Sequence, residues 1–374
     1  MRFLLTSCLL AAGFFSASVH AQEVHQELQE TMTATIIEVV SEEEEDIFGT
    51  GAVAVVQELR AKITSGSKEG EVVTFKNDLT PLDKGDDIYI NRLKSIDGVE
   101  YYLLKDINRL GPIVVVGVAF VVLLLTLAGW QGVRALASLL LSVGAIIFLL
   151  VPALLAGYPP ALASLLVSGA VLAVVLFGTH GFKPRSIIAF AGTFMAVGAT
   201  CLIAYLSVGA MRLSGFSSDA SVYLNFSTGG TLDFAGLLLG SIIIGVLGVL
   251  DDVAVTQASV VAELKAANPA LRGVELYRRA IRVGKDHVSS LVNTLALAYV
   301  GAALPLVLLF ARTESDFITI LNQEVVASEY VRILVGSIGL MLAVPLTTLI
   351  AAWWFHSHES SVDHDSHGHS HHHH

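Results

Sequence analysis

The chain has 374 residues and a formal net charge of −11, with 54% of its residues hydrophobic and only 15% charged. Soluble globular domains have about 45–50% apolar and about 25% charged residues, so the composition excludes an ordinary soluble protein. Acidic residues are in excess and no broad basic face is present, so nothing favours nucleic acid as a partner.

Residues 1–21 are typical of an export signal peptide. Arg2 precedes an apolar stretch from Phe3 to Val19, and Ala21 ends a cleavage pattern of small residues. An uncleaved first membrane span is the alternative for the same residues. After cleavage Cys201 is the one remaining cysteine, so no disulfide can form within the mature chain.

Residues 22–108 predict a small extracytoplasmic, β-rich domain of OB-like size. Short runs rich in β-branched and aromatic residues alternate with turn signals such as Lys84-Gly85-Asp86. The runs cover residues 33–40, 53–56, 59–64, 71–75, 88–91 and 99–104. The acidic stretch Glu42–Asp46 is expected to be a solvated loop, and a cation-collecting role is the alternative.

Residues 109–355 predict an α-helical, polytopic membrane bundle. Apolar stretches of about 18 or more residues with almost no charge are long enough to cross a hydrocarbon core of ~30 Å. About seven transmembrane helices are expected, at residues 112–130, 134–156, 161–178, 186–208, 234–255, 288–310 and 331–355.

The distribution of Lys and Arg predicts the orientation of this bundle. If the N-terminal domain lies outside, the loop richest in Lys and Arg, between Lys265 and Lys285, lies in the cytoplasm. The export signal predicts the same orientation independently. A multi-pass protein of the bacterial plasma (inner) membrane, with a cytoplasmic C-terminus, is therefore expected.

Carboxylates near the membrane point to a functional site. Asp251 and Asp252 lie near the cytoplasmic end of the fifth expected span, where an acidic side chain is costly and is a functional candidate by default. Thr256 follows Asp252 by four residues and shares its helix face. The next span carries a matching polar stripe, with Asp286, His287, Ser290, Asn293, Thr294 and, deeper, Tyr299.

These two spans are expected to continue as a cytoplasmic helical hairpin, residues 252–287, that turns near Pro269. An antiparallel hairpin with this turn places Asp252 at the level of Asp286 and Thr256 at the level of Arg282. We therefore expect a shared cluster of Asp251, Asp252, Arg282, Asp286 and His287 at the cytoplasmic mouth of the bundle. Carboxylates brought together can hold a proton or a cation. A salt-bridged hinge that only fixes the hairpin is the alternative.

The tail, residues 356–374, is rich in histidine. Imidazoles at this density bind transition metals, so His364, His367 and His369 are candidate ligands for such an ion. The final run from His371 to His374 resembles an expression tag. No other cofactor is expected.

Several catalytic motifs are absent from the sequence. The chain has no GxxxxGK[ST] phosphate loop, no HExxH, no CxxC and no GxSxG. The sequence therefore predicts neither an enzyme nor a transporter with its own ATPase. The one feature that favours an enzyme is the pair of adjacent carboxylates, which leaves an intramembrane enzyme as an alternative function.

The sequence resembles the YibE/F-like family of bacterial membrane proteins. The resemblance is carried by Gly245-Val-Leu-Gly-Val-Leu-Asp251-Asp252, by Asn268-Pro269, by Gly284-Lys285-Asp286-His287 and by Asn293-Thr294. It implies a multi-pass fold similar in build to transporters, with Asp252, Asp286, Asn293 and Thr294 at family positions. Asp251 departs from the family pattern, and no substrate is implied.

The sequence is compatible with two different functions. The first is a membrane transporter or channel, coupled to protons or cations, for which the histidine tail weakly favours a metal cation. The second is a scaffold or signalling subunit that senses with residues 22–105 and binds a cytoplasmic partner on the hairpin. The lipid bilayer is the expected partner in both, and a second copy of the chain, in a homo-oligomer, is the alternative to a cytoplasmic protein.

Overall fold

The structure is a computed structural model that describes residues 29–46, 53–94, 99–314 and 316–366, with side chains to residue 355 except those of residues 29 and 180. The chain divides into two units, Met1–Leu123 and Leu124–His374. The predicted export signal, residues 1–21, lies outside the described residues.

The N-terminal unit contains a five-stranded antiparallel sheet that curls into a half-barrel. Its strands are β1 (Gln29–Asp46), β2 (Val53–Ile63), β3 (Val72–Asn77), β4 (Asp87–Lys94) and β5 (Glu100–Ile107). Their order across the sheet is β3-β2-β1-β4-β5, and the edge strands β3 and β5 contact each other. Alternate residues such as Met32, Ile36, Leu59 and Ile90 point into one buried core.

The acidic stretch Glu42–Asp46 is not the expected loop. It lies in β1 and pairs with β2, from Glu42 opposite Gln57 to Asp46 opposite Val53. The predicted runs 53–56 and 59–64 form the single strand β2, which supplies the partner backbone. All five acidic side chains are exposed, so pairing of their backbone requires no burial of charge.

A buried amide fixes the segment between β3 and β4. Gln57 is 2% exposed, and its Nε2 donates to the Leu82 carbonyl at 3.2 Å and to a Glu42 carboxylate oxygen at 2.9 Å. Its Oε1 accepts from the Leu82 N–H at 2.8 Å and from Asn77 Nδ2 at 3.2 Å. Leu82 is thereby held in the apolar core, where it is 2% exposed.

Arg92 is the centre of an ionic network on this sheet. Its guanidinium donates to Glu100 and, at 3.2 Å, to Glu30, while Tyr102 Oη donates to Glu100 at 3.0 Å. Lys68 lies 3.6 Å from Glu100. The hydrogen bond from Arg92 lowers the pKa of Glu100 from 4.5 to about 2.

This network predicts part of the acid sensitivity of the domain. Because the folded pKa of Glu100 is depressed, its contribution is fully present above about pH 4.5 and is lost as the pH falls towards 2. Glu100→Gln should therefore make the free energy of unfolding of a fragment covering residues 22–108 fall less steeply between pH 5 and 2. Urea titrations at a series of pH values measure this.

The matched control is Glu43→Gln, which removes the same charge from an exposed position on β1. It should leave the pH dependence close to that of the unchanged fragment. An equal slope for the Glu100 variant and the unchanged fragment would show that Arg92 does not stabilise the ionised carboxylate.

The second unit is helical. Its elements, counted from the helix that enters it, are α1 (Leu110–Ala145), a π-helical turn (Ile146–Leu150), α2 (Val151–Leu155), α3 (Pro160–His180), α4 (Pro184–Ala210), α5 (Asp219–Ser227), α6 (Phe234–Ala267), α7 (Gly273–Ala302), α8 (Leu304–Ala311), α9 (Phe317–Leu321) and α10 (Glu324–Ser366).

Five of the described helical segments are long and apolar enough to cross a membrane, or six if α7 and α8, bent by 65°, form one broken span. The number differs from the expected seven because the predicted spans 112–130 and 134–156 both lie in the segment Leu110–Leu155. That segment is interrupted at Gly129, whose φ of 54° and ψ of −129° are not helical.

The chain bends sharply at this glycine. The position of a Cβ on Gly132 lies 2.7 Å from the Leu124 carbonyl oxygen. Eight residues of a straight helix would separate these positions by about 12 Å along the axis. Glycine is a usual cause of such a break, so the bend is attributed to Gly129. A second irregularity, the π-helical turn Ile146–Leu150, follows later in the same segment.

The helical core forms around α6. The helices α4, α6 and α10 pack against one another, and α6 also packs against α3 and α7. In the apolar window of α6 56% of the residues are buried, whereas in that of Leu110–Leu155 none is. Polar groups on α6 therefore lie in or beside the interior of the bundle, which makes this helix the place to look for a site.

Candidate functional site

A single long helix, α6, carries both adjacent carboxylates. Asp233 is its N-cap residue, and the Asp233 side chain accepts a hydrogen bond from the Gly236 N–H at 2.9 Å. Asn268, just before Pro269, is its C-cap residue. Its 34 residues span about 51 Å, at about 1.5 Å per residue, more than a hydrocarbon core of ~30 Å. The seventeen residues Phe234–Leu250 carry no charge, so Asp251 and Asp252 stand where the apolar part ends.

Asp251 lines a small cavity between α6, α3 and the π-helical turn. The cavity has a volume of about 150 Å³, and its polar lining includes Ser142, Ser168 and the Asp251 carboxylate. The carboxylate accepts a hydrogen bond from the Asp252 N–H at 2.8 Å. At about 30 Å³ per water molecule, the cavity has room for a few waters beside an acidic group.

Asp252 lies on a different face of the same helix. It is exposed and belongs to a stripe of exposed small or polar residues, spaced by four and seven positions, that comprises Ser241, Gly245, Asp252, Thr256 and Glu263. Adjacent helical residues are about 100° apart around the helix axis, so Asp251 faces the cavity while Asp252 faces the exposed stripe. Sequence reasoning treated them as one cluster.

The following helix, α7, continues the polar surface. Its buried side consists of Leu276, Ala280, Gly284, Val288 and Leu295. Its exposed side carries the predicted site residues Arg282, Asp286, His287, Asn293 and Thr294. Lipid does not solvate such groups, so this face requires water, headgroups or another protein surface.

Contacts between α6 and α7 define their register. Gln257 Nε2 donates to the Ala280 carbonyl at 3.1 Å, and the position of a Cβ on Gly284 lies 2.7 Å from Gln257 Oε1. If Asp252 and Asp286 lie at the same level of an antiparallel pair, Gln257 lies at the level of Ile281. Ile281 is between Ala280 and Gly284 along α7, so the two observed contacts agree with that register.

Among the described side chains, the α6 and α7 members of the expected cluster do not contact each other directly. Among the described side chains, Asp252, Arg282, Asp286 and His287 make no ion pair or hydrogen bond with one another. The structure thus brings these residues to similar levels on two exposed stripes, and their roles stay predictions.

Tyr299 does lie between the two helices. It is half-buried on α7, and its hydroxyl lies 2.6 Å from the position that a Cβ on Gly245 would occupy. Glycine at position 245 therefore allows this phenol to reach the stripe of α6. The contact lies on the side of the bundle away from the hairpin turn.

Gln257 is the polar residue that sequence reasoning missed. It is 3% exposed, and besides Ala280 it donates to Thr348 Oγ1 at 2.7 Å. Thr348 in turn donates to the Val344 carbonyl at 2.6 Å, so one amide joins α6, α7 and α10. The signal in the sequence is a lone amide between buried apolar residues, Ala254 and Ala258 among them, because a buried amide needs partners.

The close approach at Gly284 gives a testable prediction. A Cβ there would lie 2.6 Å from Val344 Cγ1 and 2.7 Å from Gln257 Oε1, so Gly284→Ala should destabilise the bundle by about 1–3 kcal/mol. Thermal unfolding of the purified protein in detergent measures the effect as a lower midpoint.

Gly301→Ala is the control, because it lies on the same helix and a Cβ there has no atom within 4 Å. Alanine also has the higher helix propensity, so this variant should unfold at the same or a higher temperature. Equal midpoints for the two variants would contradict the close approach of α7 to α6 and α10.

The predicted metal ligands cannot be placed by their side chains. His364 lies in the helical backbone of α10, whereas His367 and His369 lie outside the described residues. Within the described part of the chain, no group of three or more His, Cys, Asp or Glu side chains could hold a metal ion. The metal-binding tail therefore stays a prediction.

Comparison with known proteins identifies the helical unit. The family model for YibE/F-like protein matches residues 116–357, which is more than half of the chain and includes α6 and α7. The strands β1–β5 lie before the matched region. Searches of curated proteins and of solved structures found no match.

Proposed function

The chain belongs to the YibE/F-like family, and on this premise we propose that it is a membrane transporter coupled to protons or cations. The single observation that carries the proposal is the pair of carboxylates on α6, the central helix of the bundle. Asp251 lines a small cavity between helices, while Asp252 lies on an exposed polar stripe. Ionisable groups at such depth are costly and commonly mark an ion pathway.

Discontinuous helices support the same proposal. The apolar window that includes α7 and α8 is bent by 65° near Pro305, and a π-helical turn borders the cavity of Asp251. In secondary transporters, interrupted helices often provide the polar groups at the substrate site. The amphipathic α7, whose polar face reaches Asn293 and Thr294, would then line the pathway.

We propose further that the chain crosses the plasma (inner) membrane seven times. The bend at Gly129 would divide Leu110–Leu155 into two spans, and α7 with α8 would form one broken span. The segment from Lys265 to Lys285 would face the cytoplasm, following the bias of Lys and Arg towards that side. The histidine tail, on the same side, would bind a transition-metal ion.

The N-terminal sheet is proposed to be a small OB-like barrel outside the membrane. In support, β1 pairs with both β2 and β4, β2 pairs with β3, β4 pairs with β5, and β3 contacts β5. A five-stranded, partly open barrel is the OB arrangement. Such a domain would gate the pathway or collect its substrate.

Reconstitution of the full-length protein tests the transport function. Liposomes that enclose a pH-sensitive dye would receive Zn²⁺, Mn²⁺, Mg²⁺, Na⁺ or K⁺ in turn, and proton flux would be recorded. At least one cation should drive flux in the unchanged protein. Asp252→Asn and Asp286→Asn should reduce this flux to that of empty vesicles, because an amide has neither the titratable proton nor the negative charge of a carboxylate.

Asp219→Asn is the matched control, since it removes the same charge from the first turn of α5. Its flux should equal that of the unchanged protein. Normal flux in both the Asp252 and Asp286 variants would overturn the coupling role. No flux with any cation, in vesicles that contain correctly folded protein, would favour the scaffold function instead.

A further inference from the structure

The helical unit contains a large basic cleft that the transport proposal does not use. It has a volume of about 1120 Å³ and lies between the ends of α3, α4 and α6. Four cationic residues line it: Arg134, Lys183, Arg185 and Lys265. Its described lining contains no Asp or Glu.

The four cationic side chains differ in the ion pairs and hydrogen bonds that they already make within the protein. Arg185 is paired with Glu263 at 2.9 Å, and Lys265 Nζ donates to the carbonyls of Pro269 and Leu271. Arg134 makes a long contact of 3.4 Å with the Thr179 carbonyl. Lys183 has no hydrogen bond or ion pair from its side chain within the described part of the chain. The cleft therefore keeps an excess of positive charge.

A helix N-terminus adds to this charge. The 27-residue helix α4 begins at Pro184, and its first turn forms part of the cleft wall. Lys183, in the N-cap position, provides no side-chain cap for that turn. The N-terminal end of a helix carries a partial positive charge and N–H groups that favour anions.

An unpartnered hydroxyl on the cleft wall is the independent sign of a ligand. Ser186 belongs to the first turn of α4, lines the cleft and is only 3% exposed. Its hydroxyl makes no hydrogen bond with any other described group. The residue is packed into the wall while its hydroxyl oxygen stays open to the cleft, so a ligand in the cleft can bond to this hydroxyl without displacing a partner in the protein.

We propose that this cleft binds a phosphate group, carried either by an anionic lipid or by a soluble compound. Lys183 and Arg134 would pair with its charge, while Ser186 and the start of α4 would donate hydrogen bonds to its oxygens. The bias of Lys and Arg towards the cytoplasm explains basic loops in general. It does not explain why the cations converge on one cavity or why Ser186 lacks a partner.

The test uses the full-length protein in nanodiscs of zwitterionic phosphatidylcholine. In one arm inorganic phosphate is titrated at constant ionic strength, and the thermal midpoint is followed. In the other arm phosphatidylglycerol replaces part of the lipid, and retained lipid is counted by native mass spectrometry. Saturable binding in the first arm identifies a soluble phosphate, and binding in the second alone identifies a lipid headgroup.

The variants are Lys183→Gln and Ser186→Ala, with Arg278→Gln as the control. Arg278 is an exposed cation of the segment Lys265–Lys285 and does not line the cleft. Lys183→Gln and Ser186→Ala should each weaken binding by about tenfold, the effect of losing one hydrogen bond to a charged group. The Arg278 variant should bind like the unchanged protein.

Two results would overturn the proposal. One is the absence of saturable binding in both arms. The other is an equal loss in the Arg278 and Lys183 variants, which would mean that binding depends on diffuse surface charge. Ser186→Ala replaces a hydroxyl by hydrogen in a first helical turn, so the variant is expected to fold and keeps the test decisive.

Discussion

The cost of placing polar groups in lipid governs the structure of the helical unit. A bilayer core offers no hydrogen bonds, so each polar side chain on a spanning helix needs a partner in the protein or access to water. Gln257 satisfies this need inside the bundle, through Ala280 and Thr348. Asp251 satisfies it at a cavity. Within the described part of the chain, the side chains of Asp252, Asp286 and Asn293 have no such partner, although all three are exposed on these two helices.

One helix therefore organises two candidate sites. The middle of α6 carries the carboxylates, whereas its C-terminal third, with Ser259 and Lys265, lines the basic cleft. Both regions belong to α6, which is one uninterrupted helix of 34 residues. A ligand in the cleft would thus act on a rigid element that also positions Asp251 and Asp252. This arrangement offers a physical route by which a phosphate group could influence transport.

The sequence predicted a β-rich N-terminal region followed by apolar helices of membrane-spanning length, because turn residues between short β-type runs and long uncharged segments are strong local signals. It did not predict that Asp251 and Asp252 face different spaces, since that depends on which neighbours pack around α6. It missed Gln257 because its partners, Ala280 and Thr348, are distant in the chain. It also misplaced Glu42–Asp46, where pairing with β2 overrides a composition typical of loops.

Water access to the polar face of α7 is the most direct test of this account. In a protein without Cys8 and Cys201, single cysteines at Ser290, Asn293 and Leu140 would be treated with a membrane-impermeant thiol reagent from the cytoplasmic side. Leu140 is an exposed apolar residue of α1 and serves as the lipid-facing reference. The account predicts that the cysteines at 290 and 293 react and that the one at 140 does not. Equal lack of reaction at 293 and 140 would contradict it.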